Sequence, residues 1–261
     1  MRGTLTIFKR EVGALFASPI AYTLLVAWSF ITGLSFTYFC AIIAARPLSF
    51  DAQESPLTYL FGTTLLYIPI FIVVPVLTMR LIAEERSRGT LEVLLTAPVH
   101  EAAVVLGKYA AALFFWVVML VPSLFLVWLT SVYGSVDLTA VAAAYLGLFG
   151  VGVYYLAIGT AVSAAAPNQI MSAVITGLLL VGLFLLGFGG YVKEEYREVF
   201  AYLSIWGHME AFSRGIVDSR YVVFDMSVAV FALVTAVTVL SARRVGGSRG
   251  RTTTSDGEAV R

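Results

Sequence analysis

RLIAEERSRGTLEVLLTAPVHEAAVVLGK, residues Arg80 to Lys108, is the longest polar-rich interruption in this sequence. It lies between two apolar runs, Leu60 to Met79 and Val104 to Leu129, and carries charge where its surroundings carry almost none. A charged interval held between two runs of that length reads as a loop joining two membrane spans. Arg80 ends the first run, and Glu84, Glu85, Arg86 and Arg88 form a mixed-charge patch suited to a membrane surface. From Gly89 the chain can turn. Thr90 fits a helix cap before LEVLLT, in which Leu91, Leu94 and Leu95 fall at i, i+3 and i+4 on one greasy face. Pro98 stops that helix, and Glu101 suits the first turn of the next, where the helix dipole favours an anion. A two-turn helix is too short to stand on propensity alone, so its apolar stripe needs a surface to dock on. That surface is a groove in a partner, its own bundle or the lipid interface.

Composition points the same way. The chain has 261 residues, 59% hydrophobic and 13% charged, with a mean hydropathy of +0.90. Soluble domains average about half apolar and a quarter charged, so this is an all-α membrane protein with no room for a soluble catalytic domain. A net charge of +1 argues against a nucleic-acid partner. The single cysteine, Cys40, excludes an internal disulfide and a thiolate cluster, and reads as a small apolar residue in a span.

Outward from the loop, the pattern predicts one permease domain over 1–242. Its six spans cover about 20–44, 57–79, 104–130, 138–165, 170–191 and 222–240, and a disordered cytoplasmic tail rich in Gly, Ser, Thr and Arg follows at 243–261. Ahead of the first span, Leu5, Phe8, Val12 and Leu15 recur at helical spacing, with Lys9, Arg10 and Glu11 elsewhere on the wheel, an interfacial amphipathic helix. The apolar run that follows is too long for a signal-peptide core and shows no small-residue cleavage site, so it reads as an uncleaved span. Pro69 and Pro75 can kink the second span. Lys108 can snorkel from the start of the third. Gly147, Gly150, Gly152, Gly177 and Gly182 read as helix-packing positions. Tyr196, Val199, Phe200 and Leu203 predict a short helix beneath the outer surface. With both termini inside, twelve Lys and Arg residues are cytoplasmic and five external, in keeping with the positive-inside rule.

Chemistry is sparse. The charged residues nearest the spans, Lys108 and Asp225, lie towards their ends, which counts against ion-coupled transport. His208 lacks a second ligand at metal spacing and reads as an interfacial residue packed by Trp206 and Phe212. Gly107-Lys108-Tyr109 has neither the upstream glycine nor the following Ser or Thr of a phosphate-binding loop, so the chain is not expected to be an enzyme.

The run MRLIAEERSRGTLEVLLTAPVHEAAVVLGKYAAAL, Met79 to Leu113, resembles the first cytoplasmic loop of type-2 ABC transporter permeases, where Glu-Glu-Arg, Gly-Thr-Leu-Glu, Leu-Leu-Thr and Pro form the coupling helix. The resemblance extends to Ser18-Pro-Ile-Ala-Tyr22 and to His208-Met-Glu-Ala-Phe-Ser-Arg-Gly-Ile-Val-Asp218, and is nearest the gliding-motility and nitrous-oxide-reductase-accessory branch. It implies the membrane subunit of an ATP-driven exporter in a bacterial or archaeal plasma membrane. It implies coupling to a cytoplasmic ABC ATPase subunit through Glu84, Glu85, Arg86, Ser87, Arg88, Gly89, Thr90, Leu91, Glu92, Leu94, Leu95 and Pro98. The outer motif would comprise His208, Phe212, Arg214, Gly215 and Asp218. A second permease copy or paralogue and the lipid bilayer are the other partners. ATP and Mg would belong to the ATPase, with no cofactor on this chain. A second reading is a mechanical transducer acting on a periplasmic or motility partner without transport.

Overall fold

The computed structural model describes residues 2–45, 60–62, 64–90, 100–133, 136–188, 200 and 203–255, and every regular element among them is helical. Helix α1 is Arg2–Phe16, α2 Pro19–Ala45, α3 Thr64–Tyr67, α4 Ile70–Thr78, α5 Ala83–Ser87 and α6 Glu101–Leu120. They are followed by α7 Ser123–Tyr133, α8 Leu138–Ala165, α9 Gln169–Leu186, α10 Ile205–Ser213 and α11 Ser219–Ser255.

Among the described residues, five helices are long and apolar enough to cross a membrane: Pro19–Ile42, Glu101–Val132, Leu138–Ala165, Gln169–Leu186 and Ser219–Arg244. Of the second expected span, 57–79, the described residues 60–62 and 64–79 form short helical pieces, with a turn at Ile68 and Pro69 before α4. Pro69 has no amide to donate to the preceding turn, so one continuous helix is interrupted there. A similar turn at Val121 and Pro122 divides α6 from α7. Helix α11 continues to Ser255, into the stretch whose composition predicted a disordered tail from 243. A span already formed lets helix propagate without a new nucleus, which polar composition alone does not reveal.

Helix α8 is the centre of the bundle. Small residues along it let neighbours approach on most sides, and both Tyr154 and Tyr155 are fully buried. By contrast α9 buries only Ser172, Thr176 and Leu180, leaving Ile170, Leu178 and Leu185 exposed. Of the glycines expected at helix contacts, Gly147, Gly150 and Gly152 face Phe212, Asp225 and Trp116 so closely that an added Cβ would fall within 3 Å of each. Gly177 makes only an ordinary contact with Pro75, and nothing approaches Gly182, so these two are not packing positions among the described residues.

At its start α8 is capped by Asp137, whose carboxylate accepts from the Thr139 hydroxyl and from the amides of Thr139 and Ala140. The Thr139 hydroxyl, then these amides, hold the carboxyl below its ordinary range. A depressed value means that the cap stabilises the fold above the unfolded carboxylate pKa and is lost as pH falls through the lowered folded value. Asp137→Asn keeps a capping oxygen but does not titrate. Acidification from about pH 7 to about pH 3 is therefore expected to lower the unfolding temperature of the native protein more than that of the variant. Parallel curves would contradict this role.

Candidate functional site

The charged loop begins where α4 ends. The Met79 amide donates to the Pro75 carbonyl at 2.9 Å, and the chain turns through Leu81 before α5. Ile82, at the N-cap, has no capping side chain of its own. Ser163 on α8 does the work, its buried hydroxyl accepting from the amides of Ile82 and Ala83 at 3.1 and 3.0 Å. Glu84 and Glu85 sit in the first turn, where the dipole favours them. The helix closes at Gly89, whose φ of +72° is a left-handed conformation natural to glycine, so the expected turn lies there. Thr90, expected to cap a following helix, sends both its amide and its hydroxyl back to the Glu85 carbonyl, at 2.9 and 3.1 Å.

The charges of this loop face the bundle. Glu85 Oε1 accepts from Lys108 Nζ at 2.9 Å and from Arg10 at 3.2 Å, while Glu11 Oε1 accepts from the same two groups at 3.1 and 2.7 Å. Two cations and two carboxylates from α1, α5 and α6 thus form one closed cluster. Glu11 is the main cause raising the Arg10 pKa further above its already high value. Glu84 takes Arg80 at 3.0 Å and also Arg88, and Arg80 reaches the Ser18 hydroxyl at the α1–α2 turn at 2.6 Å. Arg86 donates to the Ala166 carbonyl at 2.7 Å, Arg243 to the Ala165 carbonyl at 2.8 Å, and Arg244 pairs with Glu101 at 2.7 Å. The base of the loop, with its short helix α5, is therefore bolted to the same end of four other helices, α1, α6, α8 and α11.

Lys108 does not snorkel. Its side chain is 1% exposed, because α1 lies along α6 and brings Glu11 to it. Gly107 permits that approach, since a Cβ there would lie 2.9 Å from the Ile7 side chain. The packed face of α1 accordingly includes Ile7 and Glu11, while Leu5, counted in the expected stripe, is exposed. Among the sequence-derived site residues, Glu84, Glu85 and Arg86 are partly buried and held by the bundle, whereas Ser87, Arg88, Gly89 and Thr90 are exposed. Leu91, Glu92, Leu94, Leu95 and Pro98 lie outside the described residues, as do Tyr196 and Val199.

The second motif is at the opposite end of α8. Ser163 meets the loop and Ala140 meets Gly215, about 35 Å apart at 1.5 Å per residue, so the two motifs share a helix and not a site. Arg214 is exposed and pairs with Glu210 at 2.9 Å; Gly215 has φ +81°; Asp218 accepts from the Arg220 amide at the start of α11. Phe212 is buried against Gly147. His208 is neither interfacial nor isolated. It is buried, with Nδ1 3.2 Å from Asp225 Oδ1, and its ring lies 4.3 Å from that of Tyr221. Asp225, in the first third of the candidate span Ser219–Arg244, thus makes a buried contact with His208 of α10, which corrects the expectation of an interfacial His208 packed by Trp206 and Phe212. The signals were an acid inside an apolar run and a histidine placed before it.

A family model described as ABC-2 family transporter protein matches residues 43–240. A search of the curated proteins finds no match.

Proposed function

We propose a function from one premise, that this chain belongs to the ABC-2 family of transporter proteins. It is accordingly a multi-pass membrane permease subunit whose family implies an ATPase partner. We infer that ATP hydrolysed by that separate subunit drives export through this one. ATP and Mg are held by the partner, and no catalytic residue or cofactor is assigned to this chain.

The observation that carries the reading is the cluster joining Glu85 to Lys108 and Arg10. A loop whose base is ion-paired to α1 and α6 and capped by α8 cannot be pushed without moving those helices. The 91–99 segment, with Leu91, Leu94 and Leu95 as its apolar face, is the docking knob. Exposed Ser87, Arg88 and Thr90 lie beside it as rim contacts, the usual polar border of an interface. Glu84, Glu85 and Arg86 transmit the push instead of touching the partner. Two bundle states that the ATPase binds differently are required for such coupling.

The finer topology follows. Residues 57–79 make a sixth, broken crossing, both termini and the loop are cytoplasmic, α1 lies at the inner surface, and the Leu138 end of α8 is external. The largely exposed apolar faces of α9 and α11 meet lipid and a second permease copy or paralogue. The gliding-motility and nitrous-oxide-reductase-accessory branch remains the nearest resemblance.

Leu94→Asp tests the knob. It is expected to reduce co-purification with the ATPase subunit by about tenfold or more, since an acid at a desolvated apolar anchor is a hot-spot loss, while the permease accumulates and unfolds as before. Glu92→Ala is expected to have a smaller effect in the same direction. Unchanged association and unchanged ATPase stimulation in Leu94→Asp would overturn the assignment.

A further inference from the structure

The buried pair at the outer side has no part in the coupling just described, and its surroundings are specific. Helix α10 does not lie across the end of the bundle. It runs alongside α8, with His208 beside Tyr154, Phe212 against Gly147 and Gly215 against Ala140. Ile205, His208, Met209, Phe212 and Ser213 are all buried. Ser204, just before the helix, fits against Gly187 after α9, and Ser213 against Gly62. Helix α10 is thus a wedge filling the outer half of the bundle, and its contacts with α8, α9 and the 60–62 turn are apolar or small. To α11 it is joined by rings, Tyr221 and Phe224 against His208 and Phe212, and by a buried polar contact, His208 Nδ1 to Asp225 Oδ1 at 3.2 Å.

Aromatic rings enclose that contact: around the imidazole stand those of Tyr221 at 4.3 Å, Phe224 at 5.6 Å and Tyr154 at 6.3 Å. Asp225 packs against Gly150, where a Cβ would come within 2.8 Å of Oδ2, so the carboxylate has little freedom to leave. Gly150 lies about 22 Å along α8 from Ala165, too deep for an unpaired carboxylate to be tolerated cheaply. The other titratable groups nearby are the phenols of Tyr154 and Tyr155 from α8 and Tyr221 from α11. Glu210, elsewhere on α10, is exposed and occupied by Arg214.

We propose that His208 and Asp225 form an outer latch, which fastens the wedge α10 to the last span and has to part for the bundle to open outward. With the histidine protonated and the aspartate ionised, transfer of one proton, the Nδ1–H bond breaking as an O–H bond forms on Asp225 Oδ1, would leave both groups neutral and let them part without stranding charge in the apolar interior. The latch rests on the permease reading only in requiring an outward-open state.

The test uses Ser213→Cys, nearly isosteric, in a Cys40→Ser background, in membranes containing the complete transporter. The readout is the rate of labelling by a membrane-impermeant maleimide from outside. Asp225→Asn and His208→Asn are each expected to raise that rate about tenfold or more, as loss of a buried polar contact would. The double variant should raise it no further than the larger single effect, because both remove the same contact. Unchanged rates, or effects that multiply, would overturn the latch. Should a single variant fail to accumulate, the double variant, with no charge left to bury, is expected to accumulate, and its failure as well would count against the pairing. Labelling does not pass through the ATPase, so a failed latch is distinguishable from a failed docking knob, which is read by co-purification of Leu94→Asp.

Discussion

Lys108→Met is expected to destabilise the protein by about 3–5 kcal/mol, the cost of leaving a buried ion pair with one partner missing. The ammonium is enclosed and stands between two carboxylate oxygens, Glu11 at 3.1 Å and Glu85 at 2.9 Å. Methionine, one heavy atom shorter, keeps most of the apolar packing but leaves those acids facing each other. Arg10, which also touches both, is half exposed, with 54% of its side chain accessible, and compensates only in part. Thermal or denaturant unfolding in detergent measures the loss. The triple change Lys108→Met, Glu11→Gln and Glu85→Gln is expected to recover most of it, since a buried charged group replaced as a whole by neutral residues is often close to neutral in stability. Coupling should not recover with stability. The triple variant no longer has an ionic tie from loop to α6, so ATPase stimulation is expected to stay low. A single variant within about 1 kcal/mol of the native protein would show that the cluster is solvated and not structural.

This cluster also shows where sequence reading stops. Hydropathy places the long helices well: the expected spans 138–165 and 20–44 are α8 and α2 almost to the residue, because a membrane span is defined by length and apolarity that need no partner. Turn chemistry was equally readable at Gly89, which closes α5 in the left-handed conformation. The direction a charge faces is another matter. Glu84, Glu85 and Arg86 have the composition of a solvated surface, and nothing local distinguishes that from an ion cluster whose counter-charges come from α1 and α6. Glu11 carried a weak signal, falling four residues after Ile7 and four before Leu15 on the packed face of α1. His208 and Asp225 follow no common helical period. Their meeting depends on α10 entering the bundle, which is decided by the room left at Gly147 and Gly150 and not by any motif in the outer segment itself.

Gly152→Ala, the smallest substitution available at that position, is expected to cost about 3 kcal/mol or more through overpacking and a broken hydrogen bond. A Cβ there would stand 2.1 Å from Trp116 Nε1 and 2.3 Å from its Cδ1. The indole cannot step aside. Its Nε1 donates to the Leu148 carbonyl at 3.1 Å, it is wholly buried, and Trp28 packs against it with ring centroids 5.4 Å apart. Relief therefore requires either losing that hydrogen bond or moving α6 away from α8, and the second would strain the ion cluster at the end of α6. Gly182→Ala supplies the control, because no atom of the described residues lies within 4 Å of an added Cβ, and it should leave stability unchanged or slightly raised by the better helix propensity. Trp116→Leu is expected to be costly alone, yet to make Gly152→Ala nearly harmless when the two are combined, with a favourable coupling of about 1–3 kcal/mol in a double-mutant cycle read from unfolding. Additive losses would mean that the added methyl meets something other than Trp116, and a harmless Gly152→Ala would mean that α6 and α8 do not approach each other closely enough for a push at the loop to be carried along this contact.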